Sequence, residues 1–322
     1  MVWATLLMTA VFTFLDYWAY SRVQHDNPVA WQKLATGQGI APAQYRIGVY
    51  FTANFLAHAT HLQLRHIFAA ADFFCTGASL AVVLFLLTRL PVFRERENQS
   101  QWAIVFLALL LTQFYLAWTL WFQEPETMPS FAILVASALL CSGLLRVPRG
   151  MLAVSLLLVA LLGATIRFDA VLAFHAGMLL AALVTADVPL GRAWQIGTSV
   201  LAVVLALGVE YFVAHSMFPL APREAALLQV VNNLHSLNGM FVLLLSLPGW
   251  ALTVYLAPRY WRGMNGWGRG LLIGSVIHFA MFLTLGMSEE VRIFIPFALL
   301  TLPLGVPWLF DWCRGASEGL VP

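Results

Sequence analysis

Long apolar runs, each closed by one to three polar or charged residues, recur from one end of the chain to the other. An α-helix rises 1.5 Å per residue, so about 20 predominantly apolar residues span the ~30 Å hydrocarbon of a bilayer. Ten runs meet that pattern: Val2 to Trp18, His66 to Thr88, Trp102 to Phe122, Pro129 to Arg146, Gly150 to Ile166, Asp169 to Ala186, Arg192 to Ala214, Leu234 to Leu256, Arg269 to Met287 and Val291 to Phe310. The first has no cationic residue ahead of it and no clear A-x-A cleavage site, so it is kept as an anchoring span. No soluble domain interrupts the series and no internal repeat is visible. The expected fold is all-α: a polytopic membrane helix bundle of about ten transmembrane helices, forming a single domain over residues 1–322.

The stretch from Gln44 to Arg65 has a different pattern. Wound at 100° per residue, Arg46, Tyr50, Asn54, His58, His61 and Arg65 fall within an arc of about 120°, with Ile47, Val49, Phe51, Phe55, Leu62 and Leu64 elsewhere. Two arginines, two histidines and an asparagine on one stripe are expensive against lipid, whereas a helix lying in the headgroup plane turns them toward water. The stretch is therefore expected as an interfacial amphipathic helix, within a first outer loop over residues 19–65. A spanning helix whose polar stripe faces the bundle interior is the alternative.

Composition agrees with a lipid-embedded chain. Of 322 residues 61% are hydrophobic and 10% charged, with mean hydropathy +0.82, which excludes an ordinary soluble enzyme. Formal net charge is +2, and the 17 cations, all arginine except Lys33, are dispersed, so no nucleic-acid footprint exists. Cys75, Cys141 and Cys313 have no paired spacing and are expected as small apolar packing residues. With ten spans and a cytoplasmic N-terminus, Arg89, Arg94, Arg96, Arg146, Arg149, Arg192, Arg259, Arg262, Arg269 and Arg314 all fall inside. The short outer loops carry only Arg167, Arg223 and Arg292.

The same topology gathers polar residues on the outer face: Asp16, Asp26, Asp72, Asp169, Glu210, Glu224, Glu289 and Glu290, with Arg167, Arg223, Arg292, His215, His235, Asn232 and Asn233. Carboxylates a turn inside a span are functional candidates unless paired. Each has a structural reading too: Asp72 as partner of Arg65, Arg167 with Asp169 as a local ion pair, Glu289 and Glu290 as acids at a helix N-terminus. His58 and His61, an i, i+3 pair, lack a carboxylate or cysteine at ligand spacing, so no metal site and no cofactor is expected. No G-x-S-x-G, Walker, H-E-x-x-H or dinucleotide motif is present. An outer cavity with carboxylates, arginines and an amphipathic helix suits a substrate that is itself part lipid. A carboxylate can take a proton from an attacking hydroxyl while arginine or histidine neutralises a phosphate leaving group.

Three short segments carry a resemblance. Gln44-Tyr45-Arg46-Ile47, Ile166-Arg167-Phe168-Asp169 and Glu290-Val291-Arg292-Ile293-Phe294-Ile295-Pro296, in this order and on one face, resemble the QYR segment, the R-E turn and the late E-x-R-x-x-x-P element of the GT-C superfamily of integral membrane glycosyltransferases. That resemblance implies transfer of a sugar from a polyprenyl-phosphate-linked donor to a glycan or lipid acceptor hydroxyl on the outer face. It implies Asp16 or Asp26 as catalytic base and Arg46, Arg167 and Arg292 as donor-phosphate or structural arginines; His58 and His61 are added as donor-phosphate candidates from their place on the polar stripe. Asp72, Asp169, Glu289 and Glu290 would support them. The chain departs from the family in having Asp16 and Asp26 ten residues apart rather than as a close acidic pair, and Asp169 in place of glutamate. The implied location is a bacterial inner membrane with both termini cytoplasmic.

Two other classes compete. A transporter or flippase of a lipid-linked or anionic solute would place polar groups near the bilayer midplane. A structural or assembly subunit would use the polar rim to dock a partner, and no single acid would matter. A polysaccharide polymerase or ligase would share the donor and the cavity.

Overall fold

The computed structural model describes residues 2–27, 29–41, 43–89, 124–222 and 248–285, with 229, 230, 235, 236 and positions scattered between 294 and 312. Nine α-helices lie in this part: α1 (Val2–Asp26), α2 (Ala30–Ala35), α3 (Ile47–Thr60), α4 (Leu64–Arg89), α5 (Thr127–Cys141), α6 (Arg149–Val184), α7 (Arg192–Phe212), α8 (Pro248–Tyr260) and α9 (Gly266–Leu285). The fold is all-α, and four described segments are long and apolar enough to cross a membrane: Leu64–Leu86, Arg149–Val184, Arg192–Met217 and Gly266–Thr284. The expected spans Trp102 to Phe122 and, in large part, Leu234 to Leu256 and Val291 to Phe310 lie outside the described residues.

Helix α6 is two antiparallel arms. Arg167 has φ −152° and ψ 90°, which breaks the helical path. A methyl at Gly163 would lie 2.6 Å from Cγ2 of Val171, although eight residues of straight helix rise about 12 Å. Both outer ends of the pair return to one place, because Arg149 lies beside Gly191, just past the end of the second arm. The two expected spans Gly150 to Ile166 and Asp169 to Ala186 are these arms.

Helix α9 runs antiparallel to the second arm. Gly266 donates its backbone N–H to Asp187 at 2.6 Å, and the far end brings His278 to Asp169. Small residues make the approach close: a Cβ on Gly177 would fall 2.4 Å from the Gly270 carbonyl oxygen. Helix-on-helix packing in lipid relies on such positions, because tails and apolar side chains do not drive each other apart. Helix α5 runs with the second arm, since Trp267 Nε1 donates to the Ala138 carbonyl at 2.8 Å near its far end.

The bundle therefore has two unlike ends. At one, Arg149, Arg192, Arg262 and Arg269 gather around the short connections; Arg192 donates to the Leu183 carbonyl at 3.1 Å and Arg269 lies over the Trp261 ring at 5.3 Å. At the other stand Arg167, Asp169, α2 and the first half of α3. Between the ends, Met151, Val154, Leu158, Leu161 and Leu162 on α6 form an exposed apolar stripe at helical spacing, as do Val200, Leu201, Val204 and Leu207 on α7. Such stripes suit a lipid-facing wall.

The expected helix over Gln44 to Arg65 is shorter than its pattern suggested. A 3₁₀ turn covers Ala43–Tyr45, α3 covers Ile47–Thr60, and His61 ends it in the left-handed region at φ 58°. Arg65 belongs to α4. At 14 residues α3 rises about 21 Å, too short to cross the hydrocarbon. Its polar stripe is divided. His58 and His61 are exposed, whereas Tyr50 is buried and Arg46 is turned inward.

Candidate functional site

The first half of α3 rests on the α6 reversal. A Cβ on Gly48 would meet Thr165 Oγ1 at 2.2 Å, so only glycine lets the two backbones come this close. Val49, Tyr50 and Ala53 then pack with Ile166 of α6, Phe68 of α4, and Tyr20 and Trp31 from the first loop and its flanks. Gln44, fully buried, fastens the loop that leads into α3. Its amide donates to the Leu34 carbonyl at 3.1 Å, and its Oε1 accepts from the Gly39 N–H at 2.5 Å. Ala41 donates to the Pro222 carbonyl at 2.9 Å, joining this loop to the segment after α7.

That packing holds Arg46 against the start of α5. Its guanidinium bonds both Glu124 Oε2, at 2.6 Å, and Glu126. The Tyr50 hydroxyl donates to the other oxygen of Glu126 at 3.2 Å. Side-chain exposure is 1% for Glu126, 14% for Arg46 and 28% for Glu124, so the group opens toward Glu124. Burial pushes the Glu126 carboxyl up to about 8; Arg46 opposes this, while the charge of Glu124 and a hydrogen bond to it add to the rise. Two acids thus share one cation, and the buried Glu126 holds a proton more tightly than an ordinary glutamate. Burial and the same acids raise the Tyr50 hydroxyl well above the usual phenol range. For Arg46, burial acts to lower the affinity for a proton, but the two glutamates outweigh it and hold the guanidinium charged.

A second group sits at the α6 reversal. Arg167 is 4% exposed and forks onto Asp169, with Nε donating to Oδ1 at 3.2 Å and a terminal nitrogen to Oδ2. Such bidentate pairing fixes the plane of the carboxylate. His278 of α9 donates from Nε2 to Asp169 Oδ2 at 3.1 Å. The two groups act on each other electrostatically: Glu126 senses Arg167, and Arg46 senses Asp169. Half-buried Glu210, near the end of α7, senses both Asp169 and Arg46. Two guanidiniums thus stand among four acidic side chains, an excess of acids over cations.

Three expected site residues, Arg46, Arg167 and Asp169, are therefore brought together. Asp16 and Asp72 are buried where α1 packs on α4, and Asp72 accepts from the Tyr20 hydroxyl at 2.5 Å; Arg65, its expected partner, lies over the Tyr17 ring. Asp26 is exposed at the end of α1. His58 and His61 are exposed at the far end of α3, away from the half-buried Arg46. Glu289, Glu290 and Arg292 lie outside the described residues. Glu124, Glu126, Tyr50 and His278 join the site without having been assigned a role in it from the sequence. The signal for the first two was available: Glu124-Pro125-Glu126 stands immediately before an apolar run.

Among the described residues no group of three or more histidine, cysteine, aspartate or glutamate side chains is arranged to hold a metal ion. No family model matches the chain, and neither the curated proteins nor the solved structures include a match.

Proposed function

We propose that this chain is an integral membrane glycosyltransferase that moves a sugar from a polyprenyl-phosphate-linked donor to an acceptor hydroxyl. The observation that supports it is the gathering of Arg46, Arg167, Glu124, Glu126, Asp169 and Glu210 at one end of an apolar bundle. In this reading Glu124, the more open carboxylate of the pair, takes the proton from the acceptor as its oxygen attacks the anomeric carbon. The new C–O bond forms while the bond to the phosphate oxygen breaks, and polyprenyl phosphate leaves with the electron pair. Arg46 and Arg167 exchange a carboxylate for the departing phosphate, and Tyr50 and His278 hold the acids that remain. Asp16 and Asp26 are the rival bases. By the positive-inside rule the arginine-lined end is cytoplasmic, which puts the acid-rich end on the outer face of a bacterial inner membrane.

Transport of an anionic or lipid-linked solute is the second reading, favoured by polar groups inside the spans. His175 is buried within the second arm of α6 with neither ring nitrogen hydrogen-bonded among the described residues, and Gln195 bonds Ser199 in the interior of α7.

Proteoliposomes loaded with radiolabelled polyprenyl-phosphate sugars separate these readings. The transferase reading expects donor turnover that is lost in Glu124→Gln. Loss confined to Asp16→Asn or Asp26→Asn moves the base to that residue. Label that crosses the membrane unchanged overturns transfer in favour of transport, and no turnover or movement with any donor leaves a docking role for the polar rim.

A further inference from the structure

A long apolar seam runs between α1 and α4. Two grooves of about 520 and 600 Å³ lie along it and share Phe73 and Phe74 as walls; Thr9, Thr13, Tyr17 and Gly77 line its length. Its upper end is cationic. His66 stacks on Tyr17 with ring centroids 5.5 Å apart, and the Arg65 guanidinium lies over the same ring at 5.8 Å. Among the described residues Arg65 has no carboxylate within ion-pair distance, and its Nε, buried, has no hydrogen-bond partner. Both residues stand in the first turn of a 26-residue helix that has no acid there, where the helix dipole also favours an anion. Since Leu64–Leu86 is long and apolar enough to cross the bilayer, Arg65 and His66 fall at its edge, at headgroup level.

We infer that this seam is a binding site for an anionic phospholipid of the surrounding bilayer, with its phosphate on Arg65 and His66 and an acyl chain lying along Phe73, Phe74 and Gly77. The site is separate from the cluster around Arg46 and does not rest on the proposed reaction. Phe68, whose ring meets Tyr50 at 6.1 Å, is buried on the cluster side of α4. Gly77, nine residues on, lies about 180° around the same helix, so α4 stands between the lipid and the cluster. At headgroup level the anion within reach of an arginine with no carboxylate beside it is a lipid phosphate, to which Arg makes bidentate bonds readily.

The test is native mass spectrometry of the purified full chain, titrated in turn with phosphatidylglycerol, phosphatidylcholine and a polyprenyl phosphate. Phosphatidylglycerol should be retained about tenfold better than phosphatidylcholine, whose phosphate is the same but is already neutralised by its own choline cation, a charge that Arg65 repels; tenfold corresponds to about 1.4 kcal/mol. The Arg65→Gln/His66→Gln pair should abolish that preference. Ala78→Trp, which fills the seam from an exposed position and spares the fold, should weaken both lipids. Equal retention of the two phospholipids by the wild-type chain overturns the inference, as does unchanged retention in Ala78→Trp. Displacement of phosphatidylglycerol by stoichiometric polyprenyl phosphate also overturns it, by giving the seam to that lipid.

Discussion

Arg46 and Glu126, 80 positions apart in the chain, meet in a partly buried ion pair that ties the start of α3 to the start of α5. The pair is strongly context-bound: the guanidinium has a second acid in Glu124, and the carboxyl has a second donor in Tyr50. Removing either partner leaves a charge or a polar group stranded in a site that water reaches poorly.

Arg46→Ala is therefore expected to destabilise the protein by about 3–5 kcal/mol. The double change Arg46→Gln/Glu126→Gln, which removes both charges and keeps the shapes, should recover most of that. Thermal unfolding in detergent checks both. A single-mutant effect below ~1 kcal/mol would show that Arg46 is solvated rather than paired.

The Glu126 carboxyl, raised to about 8, sets a pH dependence. Its folded value lies above the ordinary one of 4.5, so between these limits the folded state binds more protons than the unfolded state. The contribution of Glu126 to stability is thus full below about pH 4.5 and falls as pH rises through about 8. The melting temperature should decline over that window in the wild type and decline less in Glu126→Gln.

Arg167→Lys keeps the charge at the α6 reversal and loses the fork onto Asp169, so it is not a conservative change here. Its expected cost is about 1–3 kcal/mol, the value of a charge-assisted bond. His278→Gln retains an N–H toward Asp169 and should cost less. Comparing the two by thermal unfolding separates bidentate geometry from mere donation.

Gly48→Val puts side-chain atoms where Thr165 already stands. It should lift α3 off the α6 reversal and open the Arg46 group. The readout is faster proteolysis within residues 36–46. Pairing it with Thr165→Ala, which vacates the site, should restore part of the protection.

His58→Ala and His61→Ala alter exposed positions at the far end of α3, and each should change stability by less than about 0.5 kcal/mol. If both also leave donor turnover unaffected, neither histidine is a phosphate ligand of the proposed reaction.

Much of the architecture was legible in order along the chain. Hydrophobic run length located α4, both arms of α6, α7 and α9 to within a few residues, and the Arg167-Phe168 interruption marked the reversal. The limits of α3 were not legible, because a period of 3.6 continues across His61 to Arg65 while the backbone does not: His61 turns left-handed and restarts the helix at Leu64.

The sequence by itself determined that this is a helical chain suited to lipid, and that most acids would gather with a few arginines at one end of the bundle. Both follow from local quantities, apolar length and the cost of charge in hydrocarbon, which do not depend on which helix packs on which. Only the tertiary structure decided that Arg46 turns inward from its polar stripe to Glu124 and Glu126, and that His278 caps Asp169 across 109 positions. A buried charge takes whatever partner the packing brings within reach, and that choice is made between helices rather than along one.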